Sequence, residues 1–487
     1  MLKGIKGYMN GSLKFLSHED CEEIHNSSLE VLQDTGLRIE SKVALDMLNE
    51  LGCEVDKRTS IVKFPSYLVE ECLKRSPSSI KLYGTNSKYD INIKKRRTYI
   101  STCSGYGIID RNTDLVRDGL LSDVAEGTLV AENLENVHSI IPPFAGVSNV
   151  PHELATPLIL AETLKNTNKT IEFYLTGGTS ADKEMDDIIE LCKIVAGSES
   201  KLKKKPFMMF IIDPLPPLTY TEDQITALFR SVDVGLPAVI MPVAEGGATA
   251  PVTLAGMLVQ TNAEVLGGIV LANLIKKGAP VMYGHTSTIM NMRTGVYSGG
   301  AVEMGILGAC ISQLGTYYNI PTNGFYPMSD SHLPDQQAGY EKTIQWTLAT
   351  LSGMNYVSGV GNIENAALMS LEQMVIDNEI IGMLDRVSNG VQIDDERLAV
   401  NAISDVGPGG TFLQHTHTRN FIYSEYFDPK ISNKDSYNEW SKKGSWDVLK
   451  RSREQVNRIL KNEISPVDKD IIKEIETFEN KLFKRNY

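Results

Sequence analysis

The stretch Phe207 to Pro242, FMMFIIDPLPPLTYTEDQITALFRSVDVGLPAVIMP, decides the fold. It begins and ends with short apolar runs, Phe207–Ile212 and Ala238–Pro242, which are typical of strands buried on both faces. Between these runs, Glu222 to Val234 carries apolar residues at helical spacing. A strand, a helix and a second strand in this order form the repeating unit of a parallel sheet covered by helices.

The same unit recurs over most of the chain. Strands are predicted in eight apolar runs, which are Tyr99–Thr102, Val137–Ile141, Ile171–Thr176, Phe207–Ile212, Ala238–Pro242, Pro280–Gly284, Ile320–Phe325 and Tyr356–Gly359. Helical patterns accompany them at Ser122–Leu134, Leu154–Asn166, Ala181–Val195, Glu222–Val234, Pro251–Lys277, Ala301–Tyr317, Gln337–Leu351 and Ser370–Val387. These units predict an α/β fold, a closed (β/α)8 TIM barrel, because right-handed crossovers place every helix outside. The alternative is an open doubly wound sheet, but that fold would not require the count to stop at eight.

Different patterns flank the barrel, which is predicted over residues 98–390. Residues 1–97 are predicted to form an α-rich N-terminal segment. Residues 391–487 are predicted to form a C-terminal helical extension. In this extension Asp395 to Ser404 has a helical pattern, and Lys450 to Leu482 alternates charged and apolar residues as exposed amphipathic helices do.

Composition excludes several classes of protein. The 487 residues carry 48 Lys and Arg against 61 Asp and Glu, a formal net charge of −13, whereas a nucleic-acid binder needs a basic face. No run reaches the roughly 18 apolar residues of a membrane span, and the N-terminus lacks the apolar core of a secretory signal. Six cysteines without CxxC spacing predict reduced thiols. We therefore expect a cytoplasmic protein that binds neither nucleic acid nor a membrane.

The active site of a (β/α)8 barrel forms from the loops that follow the strands, so position alone selects candidate residues. The predicted mouth holds aromatic residues, acids and histidines but no cluster of Lys or Arg. Phosphate-bearing substrates usually need such a cluster. The mouth therefore favours a cation, and a quaternary ammonium is the cation best held by ring faces. The candidates are Cys103, Ser104, Tyr106, Phe144, Ser148, Asn149, His152, Thr176 to Thr179, Asp213, Glu245, His285, Tyr326, Asp330, His332, Asp335, Asn362, Glu364 and Asn365.

Ordinary structural roles compete with these assignments. Tyr106 and Phe144 fit a filling of the barrel rim, Asp330 fits a cap of the following helix, and His285 fits a hydrogen-bonded core histidine. His415-Thr-His417 has the spacing to share a metal on an extended segment. No third ligand is identifiable, so no metal site is predicted.

Three segments resemble the trimethylamine:corrinoid methyltransferase family, the MttB superfamily. They are MPVAEGGATAPVTLAG from Met241 to Gly256, QTNAE from Gln260 to Glu264, and SDSHLPDQQAGYEK from Ser329 to Lys342, of which Asp335 to Lys342 is the most specific part. The resemblance implies a barrel enzyme that moves a methyl group from an amine to the Co(I) of a separate protein. It also implies that the corrinoid (cobalamin) belongs to this cognate corrinoid protein and that no cofactor is bound permanently here.

One departure from the family points to the substrate class. Founding members carry a pyrrolysine near the seventh strand, whereas Tyr326 to Asp335 contains ordinary residues only. The chain therefore resembles the non-pyrrolysine branch, whose assigned members use glycine betaine, proline betaine, carnitine or γ-butyrobetaine. A quaternary ammonium leaves as a neutral amine, so the protein need only orient the N–CH3 bond toward the cobalt and exclude water. No general base is required, and no catalytic residue is assigned.

A betaine needs ring faces for its ammonium and hydrogen-bond donors for its carboxylate. The rings expected around the ammonium are those of Tyr106, Phe144, Phe210 and Tyr326. The residues expected near the carboxylate or elsewhere at the mouth are His332, His285, Asn149 and Glu245. A homo-oligomer is expected as well, and the amphipathic C-terminal helices suit either that contact or docking of the corrinoid protein.

Two other functions compete with methyl transfer. A barrel lyase or aldolase would use Asp213, Glu245 or His285 as a general base and would work without a corrinoid. A non-catalytic quaternary-amine binding protein would keep the fold and lack the transfer. The resemblance favours the methyltransferase.

Overall fold

A computed structural model describes residues 13–94, 97–324, 326–462 and 465–485 of this chain. All eight predicted strands form within these residues. Phe325, the last residue of the seventh predicted run, lies outside them. The barrel strands β1 to β8 are Tyr99–Thr102, Ser139–Ile140, Thr170–Phe173, Met208–Ile212, Ala238–Ile240, Val281–Gly284, Thr322–Asn323 and Tyr356–Val360.

These strands close into a ring in which every hydrogen-bonded neighbour is parallel. Each strand pairs with the next one in the sequence, and β8 returns to β1 with Tyr356 opposite Tyr99. Parallel neighbours that follow one another in sequence need a crossover on the outside of the ring. The predicted (β/α)8 barrel is confirmed.

One long helix follows each strand. The barrel helices α1 to α8 are Leu121–Glu132, His152–Asn166, Ala181–Ala196, Glu222–Asp233, Leu254–Ile275, Val302–Tyr318, Gln336–Ser352 and Leu371–Ser388, and a short helix, Glu199–Lys204, follows α3. Side-chain caps set several starts: the Thr221 hydroxyl accepts from the Gln224 N–H before α4, and the Ser370 hydroxyl accepts from the Gln373 N–H before α8. Each cap satisfies a backbone donor that the first helical turn leaves unpaired.

Successive strand residues point to opposite sides of the barrel wall. In β4, Phe210 belongs to the large cluster between strands and helices, whereas Met209 and Ile211 belong to a second cluster inside the barrel. Val239 and Met282 join the interior cluster from β5 and β6. The interior is therefore filled by side chains and is not an open channel.

Helix α5 is apolar and long enough to cross a membrane by composition alone. Most of its residues are buried against the barrel and the N-terminal helices. An apolar helix that is covered on all sides is a core helix of a globular protein.

The N-terminal segment contains strands as well as the predicted helices. Its helices are His18–Glu30, Lys42–Glu50 and Ser66–Arg75, with a π turn at Val31–Thr35, and its strands are Leu37–Ile39, Glu54–Asp56, Ile61–Lys63, Ile80–Leu82 and Ile91–Ile93. Leu37–Ile39 pairs in parallel with Thr219–Tyr220, which lies between β4 and α4. This shared sheet joins the segment to the barrel through backbone hydrogen bonds.

A hairpin from this segment closes the amino-terminal end of the barrel. Its strands, Ile80–Leu82 and Ile91–Ile93, place four buried side chains in the barrel-interior cluster with Tyr99. The Tyr99 hydroxyl donates to the Asn92 carbonyl at 3.2 Å, and the Tyr83 N–H donates to the Pro206 carbonyl just before β4 at 2.9 Å. The end opposite the strand-to-helix loops is thereby covered.

The C-terminal extension packs its last two helices on the outside of the barrel. Its helices are Asp395–Leu398, Val400–Val406, Thr416–Glu425, Tyr437–Lys442, Val448–Lys461 and Lys469–Leu482. Ion pairs fix the contacts: Lys165 with Glu479, and Arg453 with Glu372. The single helix predicted over Asp395 to Ser404 is wrong, because Ala399 takes a left-handed backbone conformation (φ 51°) that ends one helix and starts the next.

A buried ion pair ties α7 to α8. Lys342 and Asp377 are both fully buried, with Nζ 3.1 Å from Oδ2. Lys342→Met leaves the Asp377 charge without its partner and should lower the free energy of unfolding by about 3–5 kcal/mol. Urea unfolding measures this value. Adding Asp377→Leu should recover part of the loss.

The matched control is Lys57→Met, which removes an exposed lysine paired with Asp46. A surface pair of this kind contributes less than about 1 kcal/mol. Equal losses of unfolding free energy for Lys342→Met and Lys57→Met would show that the buried pair stabilises the fold no more than the surface pair does.

Candidate active site

A buried carboxyl group lies inside the barrel near the carboxyl ends of the strands. Glu172 in β3 is 0% exposed. Its Oε1 accepts a hydrogen bond from the Asn323 amide of β7, and its Oε2 accepts one from the Ser358 hydroxyl of β8 at 2.8 Å. Burial favours the neutral acid and raises the pKa of Glu172 to about 8.

A second acid sits one strand away, immediately after β4. Ile211 points inward and Ile212 outward, so Asp213 points inward again. Its backbone N–H donates to Gln224 Oε1 at 3.0 Å. Burial raises the pKa of Asp213 to about 7, and the charge of Asp213 in turn raises the pKa of Glu172. At neutral pH the two acids therefore carry less than their full negative charge.

Three tyrosines lie near the carboxyl ends of the strands, and two of them, Tyr174 and Tyr326, interact electrostatically with Asp213. Tyr174 follows β3, Tyr326 follows β7, and Tyr297 lies on a hairpin after β6. All three belong to the barrel-interior cluster or pack against it, beside Cys103 and Met328. Burial raises the pKa of each tyrosine, so all three hydroxyls stay protonated at neutral pH. The result is an aromatic enclosure with two carboxyl groups.

Two small sheets frame the mouth. One pairs Glu245–Gly246 with the hairpin Thr288–Asn291 and Val296–Tyr297, and the other pairs Gly107–Ile109 with Val116–Asp118 and Leu368–Met369, next to Asn362–Ile363. In the first sheet the Tyr297 hydroxyl donates to the Thr286 carbonyl at 2.6 Å, which fixes the ring. The sheets give rigid support to side chains that would otherwise sit on long loops.

Asp330 fastens the hairpin to the loop after β7. It accepts hydrogen bonds from the Gly300 N–H and the Ser298 hydroxyl, both at 2.8 Å. Glu341 of α7 accepts in turn from the Ser329 hydroxyl at 2.7 Å and from the Asp330 N–H at 2.9 Å. One interpretation of the sequence makes Asp330 a cap of the following helix. The structure shows that it does not have this role.

Asp335 caps α7 instead and holds the same loop. Its carboxylate accepts from the Ala338 N–H at 3.1 Å and from the Ser331 hydroxyl at 2.8 Å. Lys342 donates to the carbonyls of Gly359, near the end of β8, and of Asn362, just beyond it, both at 2.9 Å. The segment from Ser329 to Lys342 thus joins the loops after β6, β7 and β8 into one network.

Three of the predicted site residues lie in or beside the tyrosine enclosure. Tyr326 is 8% exposed and belongs to the interior cluster. Glu245 lies close enough to Tyr297 to raise its pKa. Tyr106 is 69% exposed at the rim and interacts electrostatically with Tyr174. Their role in binding a substrate stays a prediction.

Phe144 and Phe210 lie elsewhere. Both rings are fully buried in the large cluster between strands and helices. Phe210 packs edge to face against Phe173, with ring centroids 6.4 Å apart. The expected four-ring wall is therefore corrected: alternation along β4 turns Phe210 outward, and Phe144 fills the space beside Gly119.

The three expected carboxylate donors do not converge. His285 is fully buried, burial lowers its pKa to about 3, and its Nδ1 accepts from the Ser287 N–H at 3.1 Å. The His332 side chain is 74% exposed and lies 3.1 Å from Glu364. Asn149 accepts from the Leu121 N–H at the start of α1 at 3.0 Å. Each of these contacts has a structural role of its own.

His415 and His417 do not face a common ligand. His415 Nδ1 accepts from the His417 N–H at 3.1 Å and caps its own helix, while His417 Nε2 contacts the Glu396 carbonyl. Among the residues that the structure describes, no group of three or more His, Cys, Asp or Glu side chains is arranged to hold a metal ion.

Comparison with known proteins identifies the family. The family described as trimethylamine methyltransferase (MTTB) matches residues 5–484. The chain is 34% identical to the trimethylamine methyltransferase MttB of Desulfitobacterium hafniense (strain DSM 10664 / DCB-2), over 92% of this chain and 89% of that protein. This chain belongs to the MTTB family. It is a methyltransferase.

Two further similarities complete the comparison. The glycine betaine methyltransferase of Desulfitobacterium hafniense (strain Y51) is 29% identical, over 97% of this chain and 98% of that protein. The crystal structure of the Methanosarcina barkeri monomethylamine methyltransferase (MtmB) aligns with a TM-score of 0.48 at 15% identity, covering 93% of this chain and 95% of that chain. Of the two sequence relatives, one is named for trimethylamine and the other for glycine betaine.

Sequence reasoning missed Glu172, Tyr174 and Tyr297 as parts of this methyltransferase's candidate site. A signal for Glu172 was present: it is the one charged residue in the otherwise apolar run Ile171–Thr176. A lone acid in a buried strand needs partners. Tyr297 had no such signal, because its place depends on a hairpin that folds back over the mouth.

The stability of this MTTB protein should depend on pH through Glu172. The folded pKa of about 8 lies above the ordinary carboxyl value, so the contribution of Glu172 to stability is full at low pH and is lost as the pH rises to 8. Glu172→Gln does not titrate. Its free energy of unfolding relative to the wild type should rise by about 1–3 kcal/mol between pH 6 and pH 9.

Urea unfolding at the two pH values measures this difference. Glu50→Gln, which changes an exposed glutamate on the N-terminal helix Lys42–Glu50, is the control and should show no such rise. A Glu172→Gln difference that is independent of pH would mean that Glu172 is ionised throughout.

Proposed function

We propose that this methyltransferase moves a methyl group from a quaternary amine to the Co(I) of a separate, cognate corrinoid protein. The observation that carries the proposal is the enclosure formed by the buried Tyr326 and the partly buried Tyr174 and Tyr297 at the carboxyl ends of the strands. Ring faces bind quaternary ammonium groups without hydrogen bonds. The relative named glycine betaine methyltransferase supports a donor of this type, and the betaine type also includes proline betaine, carnitine and γ-butyrobetaine.

The transfer needs no proton. The electron pair of Co(I) forms the Co–CH3 bond, and the pair of the breaking N–CH3 bond stays on nitrogen, which leaves as a neutral tertiary amine. The protein contributes by holding the N–CH3 bond in line with the cobalt and by keeping water out. Rings that pack against the barrel interior suit both tasks.

Burial reduces the negative charge that the two acids in the enclosure carry at neutral pH. Positive charge leaves the nitrogen during transfer, so a fully ionised pair beside the ammonium would stabilise the substrate more than the transition state. Burial raises the pKa of Glu172 to about 8, which keeps it mostly neutral at pH 7. The ammonium is thus held mainly by rings, with Asp213 as the adjoining acid.

The cobalt must approach from the carboxyl ends of the strands, because the hairpin Ile80–Leu82 and Ile91–Ile93 covers the other end. The corrinoid belongs to the partner in this proposal, and this chain supplies the walls of the site. Tyr106, exposed at the rim, is placed where an approaching protein would meet it.

A lyase or aldolase is the second candidate, favoured by one observation. Asp213 has a pKa of about 7, the range in which a general base works best. His285 is less suited, because its Nδ1 already accepts a hydrogen bond from the Ser287 N–H. A lyase would turn over without any corrinoid.

The decisive experiment follows the visible spectrum of a reduced corrinoid protein mixed with this enzyme and one amine at a time. The amines are glycine betaine, proline betaine, carnitine, γ-butyrobetaine, choline, tetramethylammonium and trimethylamine. Conversion of Co(I) to methyl-Co(III) with a quaternary amine is expected. Conversion with none of them, using a corrinoid protein competent with another methyltransferase, would overturn the proposal, and conversion with trimethylamine alone would overturn the quaternary donor.

Tyr326 tests the aromatic enclosure. Tyr326→Ala removes one ring face and should lower kcat/KM for methyl transfer about 30-fold, the equivalent of about 2 kcal/mol for a buried cation–ring contact. Tyr326→Phe keeps the ring and should stay within about 3-fold of wild type. Initial rates of methyl-Co(III) formation measure both.

Tyr67→Ala is the control, since Tyr67 is exposed on the N-terminal helix Ser66–Arg75. It should leave the rate unchanged. Wild-type rates for Tyr326→Ala, with thermal unfolding unchanged, would remove Tyr326 from the site.

We propose that the protein is a homo-oligomer. Residues 391–426 expose many large apolar side chains, which are Val391, Ile393, Leu398, Val400, Ile403, Phe412, Leu413, Ile422, Tyr423 and Tyr426. So many exposed apolar side chains within one short segment are typical of a protein interface. Light scattering after size exclusion should therefore give a multiple of the 53.8 kDa chain mass.

Ile393→Glu with Leu413→Glu should shift the mass toward 53.8 kDa, because both side chains are more than 70% exposed and would bring charge into the contact. Val116→Glu, an exposed change on the mouth sheet, is the control. A single-chain mass for the wild type would contradict the proposal.

We also propose that the protein works in the cytoplasm. All six cysteines are unpaired and buried. Free thiols throughout a chain of this size are typical of a reducing compartment.

A further inference from the structure

The surroundings of Asp213 indicate the charge of the substrate. Its carboxylate points into the barrel, and none of the described residues donates a hydrogen bond to it, since its one hydrogen bond is from the backbone N–H to Gln224. Asp213 is partly exposed, and a carboxylate that has neither a donor nor a counter-ion keeps its negative charge available to a ligand. Such a group is typical of a site that a ligand completes.

A second acceptor in the barrel lacks a partner. Asn323 is 0% exposed, and its Nδ2 donates to Glu172. Its Oδ1 is buried and receives no hydrogen bond from the described residues. Buried amide oxygens are nearly always satisfied. The Asp213 carboxylate and Asn323 Oδ1 are therefore two acceptors beside the enclosure that suit a cation.

The buried cation nearest to the enclosure is already saturated. Lys342 interacts with Cys103 across the end of β1, so its charge is close to the site. Its three N–H donors go to Gly359, Asn362 and Asp377. No donor is left on Lys342 for a substrate carboxylate.

The other side chains suited to a carboxylate are engaged or remote. Burial keeps His285 neutral, with a pKa of about 3. His332 is exposed and contacts Glu364, whose negative charge disfavours an approaching carboxylate. Asn149 uses its amide oxygen at the start of α1. A zwitterionic betaine would thus place its negative group among tyrosine rings and acids.

Resting on the proposed function, we infer that the site takes a quaternary ammonium compound with a net positive charge and no carboxylate, of the tetramethylammonium or choline type, and that Asp213 is its counter-ion. Tyr174, Tyr297 and Tyr326 supply the ring faces around the same ligand. This charge class differs from the betaines, which carry both charges.

The dependence of affinity on pH distinguishes the two classes. The ionisable groups of the described residues that interact with Asp213 are Glu172, Tyr174 and Tyr326, and both tyrosines stay neutral below pH 10. A cation prefers the ionised carboxylates, so its affinity should rise as the pH increases through 7 and 8. A substrate carboxylate held by protonated acids would instead bind more weakly as the pH increases.

Isothermal titration calorimetry on the full-length protein tests this directly. The probes are choline, tetramethylammonium, glycine betaine and 3,3-dimethyl-1-butanol, a neutral compound of the same shape as choline. At pH 8 choline should bind at least 10-fold more tightly than glycine betaine or the neutral alcohol. Its affinity should increase about 5-fold to 10-fold from pH 6 to pH 8.

Asp213→Asn keeps the shape and removes the charge. It should reduce the preference for choline over the neutral alcohol about 10-fold and flatten the dependence on pH. Asp223→Asn is the control, because Asp223 is an exposed acid in the first turn of α4, and both properties should stay as in the wild type. Equal effects of the two substitutions would overturn the role of Asp213.

The wild-type titrations decide the inference even if Asp213→Asn does not fold. Tighter binding of glycine betaine, or affinity for choline that falls with rising pH, would overturn it. Methyl transfer from a betaine alone would overturn it as well and leave the proposed function intact. Choline binding with these pH and charge preferences, but without transfer to any competent corrinoid protein, would uphold the charge class and overturn the proposed function.

Discussion

Closure of eight parallel strands forces the inward-facing side chains at their carboxyl ends into one enclosed space. Glu172 of β3 reaches Asn323 of β7 and Ser358 of β8 across that space, so a single carboxyl group links three strands. Asn323 and Ser358 donate hydrogen bonds to both carboxyl oxygens of Glu172, but neither partner carries a positive charge. The ionisation of the whole site follows from this enclosure, because burial is the largest influence on the pKa of Glu172 and of Asp213.

The segment Ser329 to Lys342 has a supporting role in this arrangement. Asp330 and Glu341 hold the hairpin that carries Tyr297, while Lys342 holds the turn after β8. Polar networks of this kind specify one geometry because each lost partner leaves another group unsatisfied. This segment therefore positions the site, and its Asp330, Glu341 and Lys342 side chains are engaged by neighbouring side chains and backbone groups.

The sequence predicts the barrel well because buried parallel strands and amphipathic helices leave strong periodic signals. It predicts the site less well. An all-apolar strand such as Met208–Ile212 does not reveal which residues face inward, so Phe210 was expected in the ring wall although it packs outside. Glu172 was detectable as a charge within an apolar run, whereas Tyr297 depends on tertiary contacts of a hairpin. Ala399 has a left-handed backbone conformation, but an alanine at this position does not indicate from sequence that a helix ends there.

The hairpin Ile80–Leu82 and Ile91–Ile93 affects the order in which reactants bind and products leave in the proposed reaction. It covers one end of the barrel, so the amine and the cobalt share the remaining entrance. A docked corrinoid protein would then stand between the enclosed amine and bulk solvent. The amine must enter first, and the demethylated product must wait for the partner to depart. Such an enzyme follows a compulsory order of addition and release, in which the tertiary amine product leaves only after the corrinoid protein has dissociated.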